Sequence, residues 1–328
     1  MKLLKPVALV RDQVVMMDQT RLPEETWLKL KTCQEVIDSI KTMKVRGGMA
    51  IGLSAAYALV LSAIKNRGDI ALIKKDAEKL RHSRPTAVAL FHLIDRMLDI
   101  AERSEDVVGA LRAEAKELAR RSVEREVQIG EAGSALIDDG DTVLTHCNAG
   151  AMASAGYGGI TLSVFRKCRE QGKQIRVIAT ETRPYLQGAR ITAWELKKFG
   201  FDFKIITDSA VGFCLQHGMI DRVLVGADRV AANGDVANKT GTYPIAVLAH
   251  EHGIPFYAAG SIDPLTPTGS EIEIEMRSAD EVLEFGGKRI APEGCDALYP
   301  AFDVTPHRLV SAIITPQGIR TPPFQLAK

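Results

Sequence analysis

Residues 142–150 decide the fold of this chain, and they read Thr142-Val143-Leu144-Thr145-His146-Cys147-Asn148-Ala149-Gly150. A short apolar strand ends here in polar residues, and small residues continue to Gly159. Open parallel sheets bind ligands outside the carboxyl ends of their strands, and a helix N-terminus there attracts anions. Cys147 is therefore a candidate reactive thiol beside a glycine-rich turn that can hold a phosphate. A free cysteine is equally an ordinary core residue, so position alone leaves both roles open.

Apolar strands alternate with helices from Asp141 onward. Strands are predicted at 143–146, 175–179, 203–206, 223–225, 255–258 and 309–314. This alternation predicts an α/β fold with a Rossmann-like, mainly parallel sheet. No G-x-G-x-x-G motif opens a helix after the first strand, so a dinucleotide cofactor is not expected.

The first half of the chain is predicted to be mostly helical after a hairpin at 7–10 and 14–17. Helical spacing of apolar residues predicts helices at 25–42, 50–64, 70–82, 87–102 and 106–137, the last interrupted at Gly130. We therefore expect a mostly helical N-terminal domain over 1–125 and a Rossmann-like catalytic domain over 126–328.

The composition argues against several classes of function. The 42 basic and 41 acidic residues nearly cancel, which gives no electrostatic basis for binding nucleic acid or a membrane surface. No signal peptide or apolar run of membrane-spanning length is expected. The chain has five cysteines and no C-x-x-C pair, which argues against zinc and cluster sites and suits a cytoplasmic protein. Cysteines other than Cys147 are predicted to be structural, namely Cys33, Cys168, Cys214 and Cys295.

Asp228 occupies the same topological position as Cys147, at the end of the strand predicted over 223–225. Two side chains at strand ends can face one pocket, although an Asp there is also a common cap or turn residue. Asn238 and Lys239 follow a turn predicted at 233–235 and offer an amide and an ammonium group to a polar ligand. His146 should point away from Cys147, because adjacent strand residues face opposite sides, and is predicted to be buried and hydrogen-bonded.

A second group of candidate residues precedes the apolar helix at 50–64. Arg46, Gly47 and Gly48 combine a guanidinium with backbone N–H groups that have no helical partner, which is a credible phosphate site. An ordinary glycine turn before a helix is the alternative. Arg84 could supply a second guanidinium.

These features together resemble the methylthioribose-1-phosphate isomerase family, which is related to ribose-1,5-bisphosphate isomerase and to the regulatory subunits of translation initiation factor 2B. The resemblance covers nearly the whole chain. It rests on the stretches 45–47, 50–52, 84–88, 145–150, 181–184, 186–190, 226–228, 231–235, 238–239 and 300–306. It implies an aldose–ketose isomerase of methionine salvage that converts 5-methylthioribose 1-phosphate into 5-methylthioribulose 1-phosphate. It also implies a homodimer that needs neither a metal nor a cofactor.

The resemblance assigns roles to individual residues. Cys147 and Asp228 become the catalytic pair. The phosphate and hydroxyls of the sugar are then bound by Arg46, Gly47, Gly48, Arg84, Gln187, Asn238 and Lys239. A sugar 1-phosphate cannot open its ring spontaneously, since its anomeric oxygen is esterified. We expect Asp228, with a pKa raised by an apolar pocket, to protonate the ring oxygen, and Cys147 to assist hydrogen transfer from C2 to C1.

The chain also departs from the family pattern near the expected pocket. Gly48-Met49 replaces Ala-Pro, Ala89 replaces an asparagine, one extra residue precedes Gly159, and the stretch 260–264 differs. A different substrate such as 5-deoxyribose 1-phosphate is therefore an alternative. A regulatory subunit that binds sugar phosphates without converting them is the alternative from another class.

Overall fold

A computed structural model describes residues 3–84 and 87–324 of the chain. The chain forms two compact units, Met1–Val127 with Gly150–Gly159, and Gln128–Ala149 with Ile160–Lys328. The predicted domain boundary between residues 125 and 126 stays a prediction, because a compact unit need not be a domain that folds alone.

The first unit begins with an antiparallel sheet of β1 (Val7–Val10), β2 (Gln13–Met17) and β3 (Trp27–Leu30), in that order. The pairing of β1 with β2 confirms the predicted hairpin. The helix predicted over 25–42 is wrong in its first part. Residues 27–30 alternate in exposure as a strand does, and a capping box of Thr32 and Glu35 starts the helix at Cys33.

The helices that follow are α1 (Cys33–Lys41), α2 (Gly48–Lys65), α3 (Ile70–Arg81), α4 (Val88–Glu102) and α5 (Val107–Ser134). The middle of α2 is buried at every residue from Ala50 to Ala63. It packs closely on α4, since a Cβ placed on Gly52 would lie 3.0 Å from the carbonyl oxygen of Ala89. The predicted helices at 50–64, 70–82 and 87–102 are confirmed. Pro85 and Thr86, part of the predicted break before α4, lie outside the described residues.

Among the described helices, α2 is long and apolar enough to span a membrane, but 78% of it is buried inside the protein. The prediction that no apolar run approaches membrane-spanning length is therefore wrong for α2, which is long enough. Burial accounts for the composition of α2, because a helix that is apolar on all sides suits the centre of a core.

The predicted interruption at Gly130 is also wrong, because α5 continues through it to Ser134. A Cβ on Gly130 would lie 2.7 Å from the carbonyl oxygen of Ser163, and one on Gly133 would lie 2.4 Å from Val164. These glycines therefore allow α5 to approach the segment at 163–164 closely.

The second unit alternates strands and helices. Its strands are β4 (Thr142–Thr145), β5 (Arg176–Thr180), β6 (Asp202–Ile206), β7 (Arg222–Gly226), β8 (Arg229–Ala231), β9 (Val236–Lys239), β10 (Phe256–Ala259), β11 (Ile262–Asp263), β12 (Glu284–Phe285), β13 (Lys288–Arg289), β14 (Phe302–Thr305), β15 (Ala312–Thr315) and β16 (Gly318–Arg320). Its remaining helices are α6 (Thr161–Glu170), α7 (Ala193–Phe199), α8 (Val211–Gln216), α9 (Thr242–Glu251) and α10 (Asp280–Leu283).

The large sheet has the order β16-β15-β10-β7-β4-β5-β6, and its strands are parallel except for β16 at one edge. Each predicted strand from Asp141 onward lies in this sheet, which confirms the Rossmann-like fold. The chain runs from β4 to β6 on one side and then returns to place β7 on the other side of β4. Ligands bind at such a switch point, outside the carboxyl ends of the strands.

A smaller sheet of order β11-β8-β9-β14 was not predicted. Its strands are short, and β9 includes Asn238 and Lys239, which are residue types depleted in strands. The predicted turn at 233–235 is confirmed as the connection between β8 and β9, which pair as antiparallel strands. This sheet positions two of the predicted site residues.

Candidate active site

Cys147 is the second residue after β4. It is buried, with 8% of its surface exposed, and its φ of 66° lies in the left-handed region. Its N–H donates to Oγ1 of Thr182 at 3.0 Å, and its carbonyl accepts from Oγ1 of Thr192 at 2.6 Å. Both polar groups of the Cys147 backbone are thus bound by threonine side chains.

Asp228 is the second residue after β7, the parallel neighbour of β4. A Cβ placed on Gly226 would lie 2.4 Å from Cβ of Ala149, so the end of β7 packs closely on the segment that follows β4. The structure therefore brings Cys147 and Asp228 to the ends of adjacent strands at the switch point.

The predicted apolar surroundings of Asp228 are wrong, because the residue is exposed. The chain turns after β7 toward the smaller sheet, where the Asp228 N–H donates to the carbonyl of Ala237 at 2.9 Å. That backbone bond fixes the position of Asp228 and leaves its side chain in contact with solvent.

His146 is buried and hydrogen-bonded, as predicted. Its Nε2 lies 3.0 Å from the carbonyl of Thr240 and its Nδ1 lies 2.7 Å from Oγ1 of Thr180. A carbonyl can only accept, so Nε2 donates and Nδ1 accepts from the hydroxyl. Burial lowers the pKa of His146, which agrees with this neutral imidazole.

Asn238 and Lys239 end β9 and are both buried. The amide of Asn238 donates to Oγ1 of Thr242 at 3.0 Å, and Nζ of Lys239 donates to the carbonyl of Ala301 at 2.6 Å. The ammonium also lies 4.5 Å from the centre of the Phe302 ring. These contacts hold both side chains in fixed orientations.

Gln187 is 95% buried and stands at the start of a π-helical turn over Gly188–Thr192. Within the described part of the chain, its Oε1 has no hydrogen-bond partner. A buried amide oxygen without a donor is costly, so this atom is suited to accept from a ligand hydroxyl.

Arg46, Gly47 and Gly48 lie in the first unit, at the N-terminus of α2. Gly47 has φ 88°, and a Cβ there would lie 2.3 Å from Cβ of Ala153. Because Gly47 has no side chain to cap the helix, the first N–H groups of α2 keep their affinity for an anion. Arg84, in the same unit, donates to Sδ of Met43 at 2.7 Å. Arg84 therefore lies close to the segment that immediately precedes Arg46.

The small-residue segment after Cys147 does not hold a phosphate along its second half. The N–H groups of Ala155, Tyr157, Gly158 and Gly159 all donate to the carboxylate of Glu126 at 2.8 to 2.9 Å. Burial raises the pKa of Glu126, and these donors oppose that effect. The prediction of a phosphate site is therefore wrong here, because a carboxylate of the chain occupies the donors.

Sequence reasoning assigned no role to the threonines around Cys147. Thr180 and Thr182 are each 0% exposed, and Thr192 is 7% exposed. A Thr-x-Thr pattern at the end of β5, the strand beside β4, was the available signal, because its side chains should lie near the end of β4.

Cys33, Cys168 and Cys214 are buried, as Cys147 is. Burial raises the pKa of Cys33 to about 12 and that of Cys168 to about 11. Their structural role stays a prediction, and Cys295 is exposed. Over residues 3–84 and 87–324, no cluster of His, Cys, Asp or Glu side chains could hold a metal ion.

The fold and the site define a class: an α/β protein of Rossmann strand order with a cysteine and an aspartate at its switch point. The chain belongs to the Initiation factor 2 subunit family, which it matches over residues 44–322.

Curated relatives and solved structures give this assignment more detail. The chain is 49% identical to the methylthioribose-1-phosphate isomerase of Fervidobacterium nodosum, covering 96% of this chain and 93% of that protein. The protein of the same name from Desulforudis audaxviator is 48% identical, covering 95% and 93%. The structure of 5-methylthioribose 1-phosphate isomerase from Pyrococcus horikoshii matches with a TM-score of 0.93 and 42% identity, covering 99% of this chain and 94% of that one. The structure of translation initiation factor eIF-2B subunit delta from A. fulgidus matches with a TM-score of 0.90 and 40% identity, covering 98% and 97%.

Proposed function

We propose that the protein is an aldose–ketose isomerase that converts 5-methylthioribose 1-phosphate into 5-methylthioribulose 1-phosphate in methionine salvage. The observation that carries the proposal is the placement of Cys147 and Asp228 at the ends of adjacent strands. The names of relatives that are nearly half identical over almost the whole chain supply the substrate.

Asp228 and Cys147 have separate roles in this proposal. Asp228 acts as the general acid: its exposed carboxylate takes up a proton from solvent and gives it to the ring oxygen as the bond from that oxygen to C1 breaks. Cys147 then assists the transfer of hydrogen from C2 to C1, which leaves a ketone at C2 and the phosphate ester on C1. Two routes fit: the thiolate removes the C2 proton to give an enediol, or a hydride shifts while the thiolate accepts the hydroxyl proton.

The remaining site residues are assigned to substrate binding. Arg46, Gly47, Gly48 and Arg84 bind the phosphate, supported by the unoccupied capping position at Gly47. The sugar hydroxyls are bound by Gln187, Asn238 and Lys239, supported by the amide oxygen of Gln187, which has no hydrogen-bond partner among the described residues. A bound phosphate of this kind positions the sugar for reaction at its other atoms.

The test is turnover by the purified protein, followed by NMR, on 5-methylthioribose 1-phosphate and 5-deoxyribose 1-phosphate side by side. The methylthio group should raise kcat/KM by about tenfold or more, since a small apolar group contributes that much in a fitted pocket. A higher kcat/KM for 5-deoxyribose 1-phosphate would show that this sugar, and not 5-methylthioribose 1-phosphate, is the substrate. Binding of both sugars without turnover would instead identify a regulatory subunit.

Turnover in deuterium oxide distinguishes the two routes. Deuterium at C1 of the product indicates the enediol, because the proton removed by Cys147 exchanges with solvent. Protium retained at C1 indicates a hydride shift or a shielded proton.

We further propose a cytoplasmic homodimer. Exposed apolar side chains on α8 and α9 support self-association, namely Phe213 at 59%, Tyr243 at 40% and Val247 at 39%. The free cysteines suit a reducing compartment. Light scattering should give twice the mass of the chain, and a monomer for Phe213→Asp would assign this face to the interface.

A further inference from the structure

The backbone of Cys147 is held in a conformation that it would not adopt by itself. The left-handed region costs a residue with a side chain about 1 to 2 kcal/mol. The direction of the Cα–Cβ bond, and with it the position of Sγ, depends on that conformation. Contacts that fix the Cys147 backbone therefore also fix where the thiol lies.

Thr182 holds the N–H side of Cys147 and is itself held firmly. It is fully buried, has φ 62°, and accepts the Cys147 N–H. Its own N–H and that of Arg183 donate to the two carboxylate oxygens of Asp208, each at 2.7 Å. The acceptor for Cys147 is thus anchored by a carboxylate from the segment that follows β6.

Thr192 holds the carbonyl side from a different direction. Its hydroxyl donates to the Cys147 carbonyl and accepts from the amide of Asn148 at 3.2 Å. That amide also donates to Oε2 of Glu195 at 2.6 Å, and Glu195 is 1% exposed. A second carboxylate, which is buried, therefore supports the second threonine.

Hydrogen bonds link Thr182 through Thr180 to His146, and the proton of each hydroxyl in this network can be assigned without conflict. Thr182 accepts from Cys147, so its own proton goes toward Thr180, whose Oγ1 lies at 3.2 Å. The hydroxyl of Thr180 in turn donates to Nδ1 of His146. Each hydroxyl donates once, and the network stays intact only while the imidazole of His146 is neutral.

We propose that Thr182 and Thr192 are positioning residues of the isomerisation, which act by holding Cys147 in the left-handed conformation that aims its thiol at the substrate. This inference rests on the proposed function, because it requires that Cys147 touches the substrate. It predicts a loss in kcat rather than in substrate binding, because neither threonine is among the groups assigned to phosphate or hydroxyls.

The experiment compares Val and Ser at each threonine, with turnover of 5-methylthioribose 1-phosphate as the readout. Thr182→Val and Thr192→Val remove the hydroxyl at nearly constant volume and should each lower kcat by about 10- to 100-fold, since a displacement of about 1 Å costs this much. KM should change by less than about threefold. Thr182→Ser and Thr192→Ser keep the hydroxyl and should retain kcat within about threefold of the wild type.

Thr305→Val is the matched control. Thr305 is 0% exposed, and its hydroxyl has no hydrogen-bond partner among the described residues, so the same substitution should leave kcat unchanged. If Thr182→Val does not fold, Thr192→Val carries the test from the carbonyl side. Wild-type kcat in folded Val variants, with Cys147→Ala inactive, would overturn the inference and leave the proposed function standing. Turnover by Cys147→Ala would overturn the inference together with the catalytic role of Cys147, whereas absence of turnover by the wild type would overturn the proposed function.

Discussion

The ends of β4 and β7 hold equivalent places in the sheet but are built in opposite ways. Cys147 is buried in a left-handed conformation and bound on both sides by threonine hydroxyls. Asp228 is exposed, and its backbone bond to Ala237 joins it to the smaller sheet. Equal topology therefore does not give equal environments: Cys147 is buried with its backbone held by hydrogen bonds, whereas the carboxylate of Asp228 contacts solvent.

The groups around the two ends differ as well, although the threonines at Cys147 are themselves supported by the carboxylates of Asp208 and Glu195. The contacts of the Cys147 backbone are made by hydroxyls, which do not titrate. The smaller sheet beside Asp228 carries ionisable groups, since Lys239 ends β9 and Asp303 lies opposite Asn238 in β14. We therefore expect the two ends to respond differently to substitution and to pH.

The largest effect is expected from replacing the reactive groups themselves. Cys147→Ser and Asp228→Asn should each lower kcat by at least about a hundredfold, because each removes a proton-transfer group. Asp228→Asn should leave the thermal unfolding temperature unchanged, because the side chain is exposed. Steady-state kinetics and calorimetry measure the two quantities. Near-normal turnover in either folded variant would remove that residue from the catalytic pair.

The next largest effect is expected at the segment 155–159, whose backbone N–H groups are bound by the carboxylate of Glu126 rather than by a hydroxyl. Glu126→Gln should lower the free energy of unfolding by about 2 to 4 kcal/mol, because an amide cannot serve all four N–H donors and loses the charge that strengthens them. Denaturant titration measures this change. Glu124→Gln, on the exposed side of the same helix, should stay within about 0.5 kcal/mol of the wild type. Equal values for the two variants would show that the segment at 155–159 does not depend on Glu126.

The large sheet was predictable from sequence because its strands are short apolar runs between helices, a pattern that burial on both faces imposes. Strand order then placed Cys147 and Asp228 together without further information. The helix predicted across residues 27–30 was wrong because a short apolar run fits the period of a helix as well as that of a strand. The capping box at Thr32 was the signal that decides between the two.

The environments of the site residues were less predictable, because they depend on contacts distant in sequence. Cys147 is bound by Thr182 and Thr192, which lie 35 and 45 residues away. The glycine-rich segment after it indicated close approach of a ligand, yet the approaching group is the side chain of Glu126. Small residues mark where something comes near the backbone, and sequence alone does not say what.

A smaller effect on stability is expected where Gly226, at the end of β7, packs on Ala149 in the segment that follows β4. Gly226→Ala places a methyl group 2.4 Å from that of Ala149 and should destabilise the protein by about 1 to 3 kcal/mol through overpacking. Ala149→Gly removes the opposing methyl group, so the double variant should recover part of the loss. A double-mutant cycle in urea measures the coupling. Additive effects of the two substitutions would show that the strand ends do not constrain each other.

The smallest effect is the pH dependence of stability that Asp303, in the smaller sheet beside Asp228, should produce. Burial raises the pKa of Asp303 to about 6, although the N–H groups of Gly241 and Tyr243 donate to it. A raised pKa in the folded state means that the stabilising contribution of Asp303 is complete below about pH 3.8 and is lost as pH rises through about 6. The stability of the wild type relative to Asp303→Asn should therefore fall by about 1 kcal/mol between about pH 5 and 7.5. Urea titrations across this range measure it, with exposed Asp296→Asn as the control. A constant difference between the wild type and Asp303→Asn over this range would show that the carboxyl of Asp303 does not contribute to the pH dependence of stability.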